Sequence, residues 1–235
     1  MARCLATCAR LSRRISAALV AVILSAAPGT ATEPRSTSPR LREGRLLAQS
    51  PPALGGGEVV LELTVDSRGG VTRVERIRVT PPYADLLVNS AAQWRFEPAT
   101  VAIEGRATSV AASVLVVAVF RPASLYAGPA PAVPPQLLGA PSPRVPRVES
   151  IVMPAYPPTA TGDGIVLVEG EMSGHAEPRN YRIVGPASGF DTAALDAVRS
   201  WRFGAPQAPE VPDRLFAYAV VGFRTPLAPG TRRRQ

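Results

Sequence analysis

Apolar and polar residues alternate along "GEVVLELTVD", with Val59, Leu61, Leu63 and Val65 set against Glu58, Glu62, Thr64 and Asp66. A period of two predicts a half-buried strand. "SRGG" reads as a turn. "VTRVERIRV" reads as a second strand with an irregularity, because its apolar residues fall at 71, 74, 77 and 79. A short helix is predicted over "PYADLLVNSAAQW", with Leu87, Ala91 and Trp94 on one face. After "RFEPA" and the polar loop "IEGRAT", the run "SVAASVLVVAVF" reads as a third strand.

The same order returns further along. A displacement of 107 residues puts Gly57 on Gly164, Val59 on Val166, Glu62 on Glu169 and Trp94-Arg95-Phe96 on Trp201-Arg202-Phe203. "GIVLVEGEM" and "NYRIVG" read as strands. "SGFDTAALDAVRSW" reads as a helix, with Ser188 and Asp191 spaced as a capping pair, and "DRLFAYAVVGF" closes as a strand. The predicted fold class is therefore α+β: two tandem β-β-α-β domains, 51–121 and 151–226, each a small antiparallel sheet with one helix. Residues 122–150 hold eight prolines and read as a semi-rigid linker. Residues 32–50 are polar and aperiodic, and are expected to be disordered.

Both tryptophans of the chain occupy the repeated Trp-Arg-Phe phrase, each at the end of a helix. Small domains depend on large aromatics for their cores, so Trp94, Phe96, Trp201 and Phe203 are expected as core anchors, with Leu195 and Val198 beside them. The third strands do not alternate cleanly. Val114, Val116 and Phe120 oppose Leu115, Val117 and Val119 in the first; Leu215, Val221 and Phe223 oppose Phe216, Tyr218 and Val220 in the second. A three-stranded sheet under one helix leaves its other face polar. Something must cover the second apolar face: the sister domain, another copy of the chain, or a partner.

Charge narrows the function. The net charge is +8, carried by 26 arginines with no lysine. Residues 1–31 hold four arginines and no acid, and the tail 227–235 holds three arginines. The span 51–226 sets 15 arginines against 16 acids. The folded part lacks the basic face that nucleic-acid binding needs. Arg3, Arg10, Arg13 and Arg14 precede a 13-residue apolar run, "ISAALVAVILSAA", followed by Pro28 and small residues. This is the layout of a secretory signal peptide over 1–31, cleaved after Ala31. The rival, a retained anchor, needs about 20 apolar residues. Cleavage would remove Cys4 and Cys8 and with them any disulfide or thiolate metal site.

Catalytic chemistry has little to stand on. The single histidine, His175, falls in the "SGHAEP" turn, expected at the surface, and a nucleophile–His arrangement would have to use it. Glu169 and Glu171 are expected on a solvated strand face. "GGG" at 55–57 lacks the Lys and Ser or Thr of a phosphate loop. No catalytic residue, metal site, cofactor or small-molecule substrate is assigned, and the chain is read as a non-enzyme.

The second repeat resembles the C-terminal domain of TonB-family proteins. The resemblance rests on the entry Pro154-Ala155-Tyr156-Pro157-Pro158-Thr159-Ala160 and the strand Gly164-Ile165-Val166-Leu167-Val168. It continues through the helix from Ser188-Gly189-Phe190-Asp191-Thr192-Ala193-Ala194-Leu195-Asp196-Ala197-Val198 to Trp201-Arg202-Phe203. The first repeat fits more loosely, through Gly57, Val59, Asp85, Ala91 and Trp94-Arg95-Phe96-Glu97-Pro98-Ala99. The resemblance implies a periplasmic location in a Gram-negative envelope. It implies a protein-interaction module that pairs a sheet edge with an extended peptide of a partner, an outer-membrane TonB-dependent transporter or another envelope protein, or with a second protomer. In that family the last strand lies at or near an open edge, so Leu215, Tyr218 and Val220 are the expected partner-binding positions, with Tyr156 and Pro157 as further contacts. Val220→Pro is then expected to remove one ladder donor while leaving the helix side intact. The alternative is a non-energised envelope scaffold with the two domains packed together. TonB itself carries a histidine in an N-terminal anchor and has one such domain; here the apolar run has no histidine and the unit occurs twice.

Overall fold

The alternating run from Gly57 forms a strand, and the pattern places most other elements correctly. The structure is a computed structural model that describes residues 36–44, 46, 55–123 and 134–227. The first segment comprises β1 (Ser36–Thr37), β2 (Arg40–Glu43), β3 (Gly57–Val65), β4 (Val71–Val79), α1 (Tyr83–Ala91), β5 (Arg95–Glu97), β6 (Ala99–Ile103), β7 (Arg106–Val110) and β8 (Ala112–Phe120). The second comprises β9 (Gln136–Leu137), β10 (Arg147–Ser150), β11 (Gly164–Ser173), β12 (Pro178–Gly185), α2 (Asp191–Ser200), β13 (Arg202–Gly204) and β14 (Arg214–Phe223). The described chain is a strand-rich α+β fold with two helices. The expected signal peptide at 1–31 lies outside the described residues, as does the basic tail beyond Leu227.

One sheet runs through both segments. Its central path is β9-β4-β3-β8-β14-β11-β12. β3 and β8 pair antiparallel, as do β11 and β14, while β8 and β14 pair in parallel from Leu115↔Ala217 to Phe120↔Gly222. The Arg121 N–H extends that ladder by donating to the Gly222 carbonyl at 2.7 Å. The strand order is therefore symmetric about the β8–β14 seam. Because equivalent strands run in the same direction across the seam, the pseudo-two-fold axis lies along them and exchanges the faces of the sheet.

That exchange explains the two-sided apolar strands. On one face α1 buries Tyr83, Ala84, Leu87 and Ala91 together with Trp94 and Phe96. This core extends over Phe216, Tyr218 and Val220 of β14. On the other face Ala194 and Val198 of α2 pack with Trp201 over Leu115, Val117 and Val119 of β8. Each helix thus covers its own strands and the sister's last strand. Strands buried on both faces read as continuous apolar runs rather than alternating ones. Trp94, Trp201, Phe96 and Val198 are buried as expected; Leu195 and Phe203 are half-buried against the α2-side core.

Repeat positions recur in the packing. Tyr83 and Phe190, again 107 apart, enter the two helices and lie on Gly57 and Gly164, where any Cβ would run into the ring. Gly170, at a core-facing strand position, leaves room for the Tyr181 ring. α2 departs from the expected capping pair. Phe190 occupies the cap position without a side-chain cap bond, and Asp191 accepts from the Ala187 N–H at 2.8 Å.

The stretches read as disorder and linker are corrected where they are described. β2 pairs with β5, Leu41 opposite Phe96, and β10 pairs with β13, Val148 opposite Phe203. Pro39-Arg40-Leu41 and Pro146-Arg147-Val148 are themselves 107 apart. Near the start of each segment a short strand therefore docks beside its own Trp-Arg-Phe phrase. Proline-rich polar composition hid two apolar side chains whose partners are distant in sequence.

Candidate functional site

The residues expected to meet a partner on the last strand lie in the interior. Leu215, Tyr218 and Val220 are at most 2% exposed. β14 is hydrogen-bonded to β11 on one side and to β8 on the other, so the expected open edge is taken by the sister strand. A strand bonded on both sides has no ladder groups left to offer an incoming peptide. Tyr156 is also buried, its hydroxyl donating to the Gly162 carbonyl at 2.7 Å, and its ring meets Phe190 edge-on at 5.7 Å. Pro157 is half-buried beside it and lines a shallow groove of about 600 Å³ at the start of α2, with Asp191 and Asp196. The structure does not bring Tyr156 and Pro157 together with the β14 positions into one surface.

Glu169 corrects a second expectation. It is 3% exposed rather than solvated. Its carboxylate accepts from Arg182 at 3.0 Å and from Arg40 at 3.2 Å, and the Tyr218 hydroxyl approaches it at 3.4 Å. Tyr218 in turn accepts the Leu41 N–H at 2.5 Å. The segment carrying β1 and β2 is thereby tied to β11, β12 and β14. Sequence reasoning missed this cluster because Arg40 lies 129 positions from Glu169. The one available signal was the repeat, since Glu62 is the equivalent of Glu169 and is also buried. Glu62 accepts the Ser142 N–H at 2.8 Å, so each segment's leading stretch reaches a buried glutamate of the other. Glu171 is half-buried and paired with Arg214 at 2.9 Å.

Burial, reinforced by the Glu169 carboxylate, holds the Tyr218 phenol well above the ordinary phenol range. Burial also raises Tyr83 and Tyr181. An unfolded chain releases these protons near pH 10, while the folded chain keeps them, so folding stability is complete below about pH 10 and falls as pH rises. A phenol that stays protonated in the folded chain while the unfolded one ionises contributes a slope of up to about 1.4 kcal/mol per pH unit, and Tyr218 is the main contributor. Tyr218→Phe should remove that slope while costing roughly 1–3 kcal/mol at neutral pH, because the Leu41 N–H and the Glu169 carboxylate each lose a partner. Urea melts at pH 7 and above pH 10 measure both; an unchanged alkaline slope would contradict the assignment.

The remaining surface features are edges and grooves. β12 pairs only with β11 among the described residues, leaving the outer side of Pro178–Gly185 unpaired. The equivalent side of β4 is partly closed by β9, through Val79↔Gln136 and Arg78↔Leu137. His175 is exposed in the β11–β12 turn, beside Arg179 and Asp213 in an open groove of about 540 Å³ that Pro206, Pro209 and Pro212 also line. Among the described residues no group of three or more His, Cys, Asp or Glu side chains is placed to hold a metal. Among the same residues no helix is long and apolar enough to cross a membrane. No family model, curated protein or solved structure matches this chain.

Proposed function

We propose that this chain is an exported protein-interaction module of the bacterial cell envelope, built from two tandem TonB C-terminal-like β-β-α-β units fused through their last strands. The observation that carries the reading is the parallel β8–β14 seam, with each helix on the opposite face of a shared sheet. A doubled unit joined this way presents its second strands, not its last ones, at the sheet's sides. Partner recognition is then β-augmentation at an outer edge, the mode in which backbone ladder bonds supply affinity and side chains supply selectivity. A partner in the outer membrane, such as a TonB-dependent transporter, fits this reading. The reading is of a non-enzyme, and it includes no energy coupling.

The same seam favours the second reading, an envelope scaffold in which the two units support each other and no transport partner is served. Both readings require export. Fractionation of cells followed by mass spectrometry of the N-terminus should find the chain in the periplasm, beginning near Thr32. A chain confined to the cytoplasm would contradict both. A photo-crosslinking residue at Asn180, exposed on β12, separates them. The interaction module should cross-link to an outer-membrane protein in intact cells. The scaffold should give no such adduct.

A further inference from the structure

The two outer strands of the sheet are equivalent by repeat but differ in how their free sides are treated. β4 carries three arginines and one glutamate. Its arginines are matched by acids: Arg73 with Glu75 at 2.6 Å, Arg76 with Asp85 at 2.7 Å, and Arg78 with Glu58 at 2.8 Å. An extended stretch of the chain, β9, already lies along the end of that strand. This shows that the outer side of a second strand in this fold accepts an antiparallel segment.

β12 has two arginines and no acid. Arg182 shares the buried Glu169 carboxylate with Arg40, so two guanidiniums stand against one carboxylate on that face. Arg179 is exposed and makes no ion pair among the described residues. On the α2 face, Arg199 and Arg202 both act electrostatically on the Tyr181 phenol, and Arg199 is itself paired with Asp196 at 3.3 Å. An unpaired ladder of amides and carbonyls is therefore flanked by arginines on both faces of the sheet.

We propose that the outer edge of β12 (Pro178–Gly185) is a docking strand for an extended acidic peptide of another protein. This rests on the interaction-module reading above and names its edge and ligand chemistry. Charge complementarity selects the occupant. A second copy pairing antiparallel through the same strand would bring two more arginines and no acid to the edge, and like charges close together in a sheet repel. The chain's own undescribed stretches are also poor occupants by charge. Residues 1–35 carry five arginines and one glutamate, position 45 is an arginine, 47–54 and 124–133 are uncharged, and 228–235 carry three arginines. Carboxylates at alternate positions of a bound strand would meet Arg182 on one face, or Arg179 and Arg202 on the other.

The test titrates the full chain with a labelled, end-capped seven-residue peptide alternating valine and glutamate. The same peptide with lysine for glutamate, and a third N-methylated at alternate amides, serve as controls. The acidic peptide should bind with an affinity that falls as salt rises, and hydrogen exchange should show new protection of amides within 178–185. Both controls should bind at least about tenfold more weakly, since one has lost charge complementarity and the other its ladder donors. Arg179→Glu, at an exposed position that leaves the fold unchanged, should weaken the acidic peptide by about tenfold, the scale of a partly exposed charge contact reversed in sign. Equal binding of the lysine peptide, undiminished binding of the N-methylated one, or a dimer formed through β12 would each overturn the proposal. Protection at β4 or β7 in place of β12 would overturn this edge while leaving the interaction-module reading standing. Absence of any peptide binding, together with absence of cross-links at Asn180, would remove both.

Discussion

Trp94→Ala and Trp201→Ala will each destabilise the chain as a whole rather than one half of it. Both side chains are at most 2% exposed. Truncating a large buried aromatic costs about 3–5 kcal/mol, against a total stability of about 5–15 kcal/mol for a domain. The loss also crosses the seam. The Trp94 ring meets Tyr218 edge-on at 6.3 Å, and Phe96 meets it at 5.7 Å, so the cavity left by Trp94 opens beneath β14. Trp201 packs in the core that includes Leu115, Val117 and Val119 of β8, and its indole N–H donates to the Val152 carbonyl at 2.9 Å. Urea melts followed by fluorescence of the remaining tryptophan should therefore report early unfolding in both variants. If the surviving tryptophan keeps its wild-type midpoint, the halves are independent and the shared core is wrong.

Val220→Pro is expected to be as damaging, reversing the outcome expected for an edge strand. Val220 stands opposite Leu167 of β11 and Ala118 of β8. Proline there removes a ladder donor inside the sheet, where proline is tolerated essentially only at edges and bulges. The lost bond and the unsatisfied carbonyl opposite it together cost roughly 2–4 kcal/mol, before any strain. Arg179→Ala on the exposed side of β12 should by contrast shift stability by no more than about 0.5 kcal/mol. Chemical denaturation compares the two directly. A Val220→Pro protein with the wild-type midpoint would put β14 back at an edge.

The strands and helices were legible because burial is periodic. β3 alternates, α1 places Leu87 and Ala91 on one face, and the 107-residue displacement carries the pattern to the second segment. The tryptophan phrase was readable as core for the same reason. The seam was half legible. The opposed apolar sets of β8 and β14 required a cover for the second face, and the sister segment was among the covers considered. Nothing local in either strand specifies a parallel neighbour a hundred residues away; the edge position came from the family resemblance, and here the sister strand occupies it. The leading strands β2 and β10 were missed because their composition is polar and proline-rich. Their fixed points, Leu41 on Phe96 and Val148 on Phe203, depend on register with distant strands. Glu169 was read as solvated because alternation alone gives the polar face of β11 to water. The N-terminal segment and β12 supply the arginines that allow a carboxylate to be buried there.

The measurement that bears most directly on the central claim is a disulfide across the seam. Val220 and Ala118 are register partners in the parallel β8–β14 ladder, and both side chains enter the same core. In a chain carrying Cys4→Ser and Cys8→Ser, the pair Ala118→Cys and Val220→Cys should oxidise within the monomer, because neighbouring strands hold Cα atoms in the range of roughly 4.4–6.8 Å that disulfides require. The expected result is an intramolecular bond formed at low protein concentration, with a raised unfolding midpoint. Two thiols that stay reduced in the folded protein, or that link only between molecules, would contradict a fold in which the two units close on each other through their last strands.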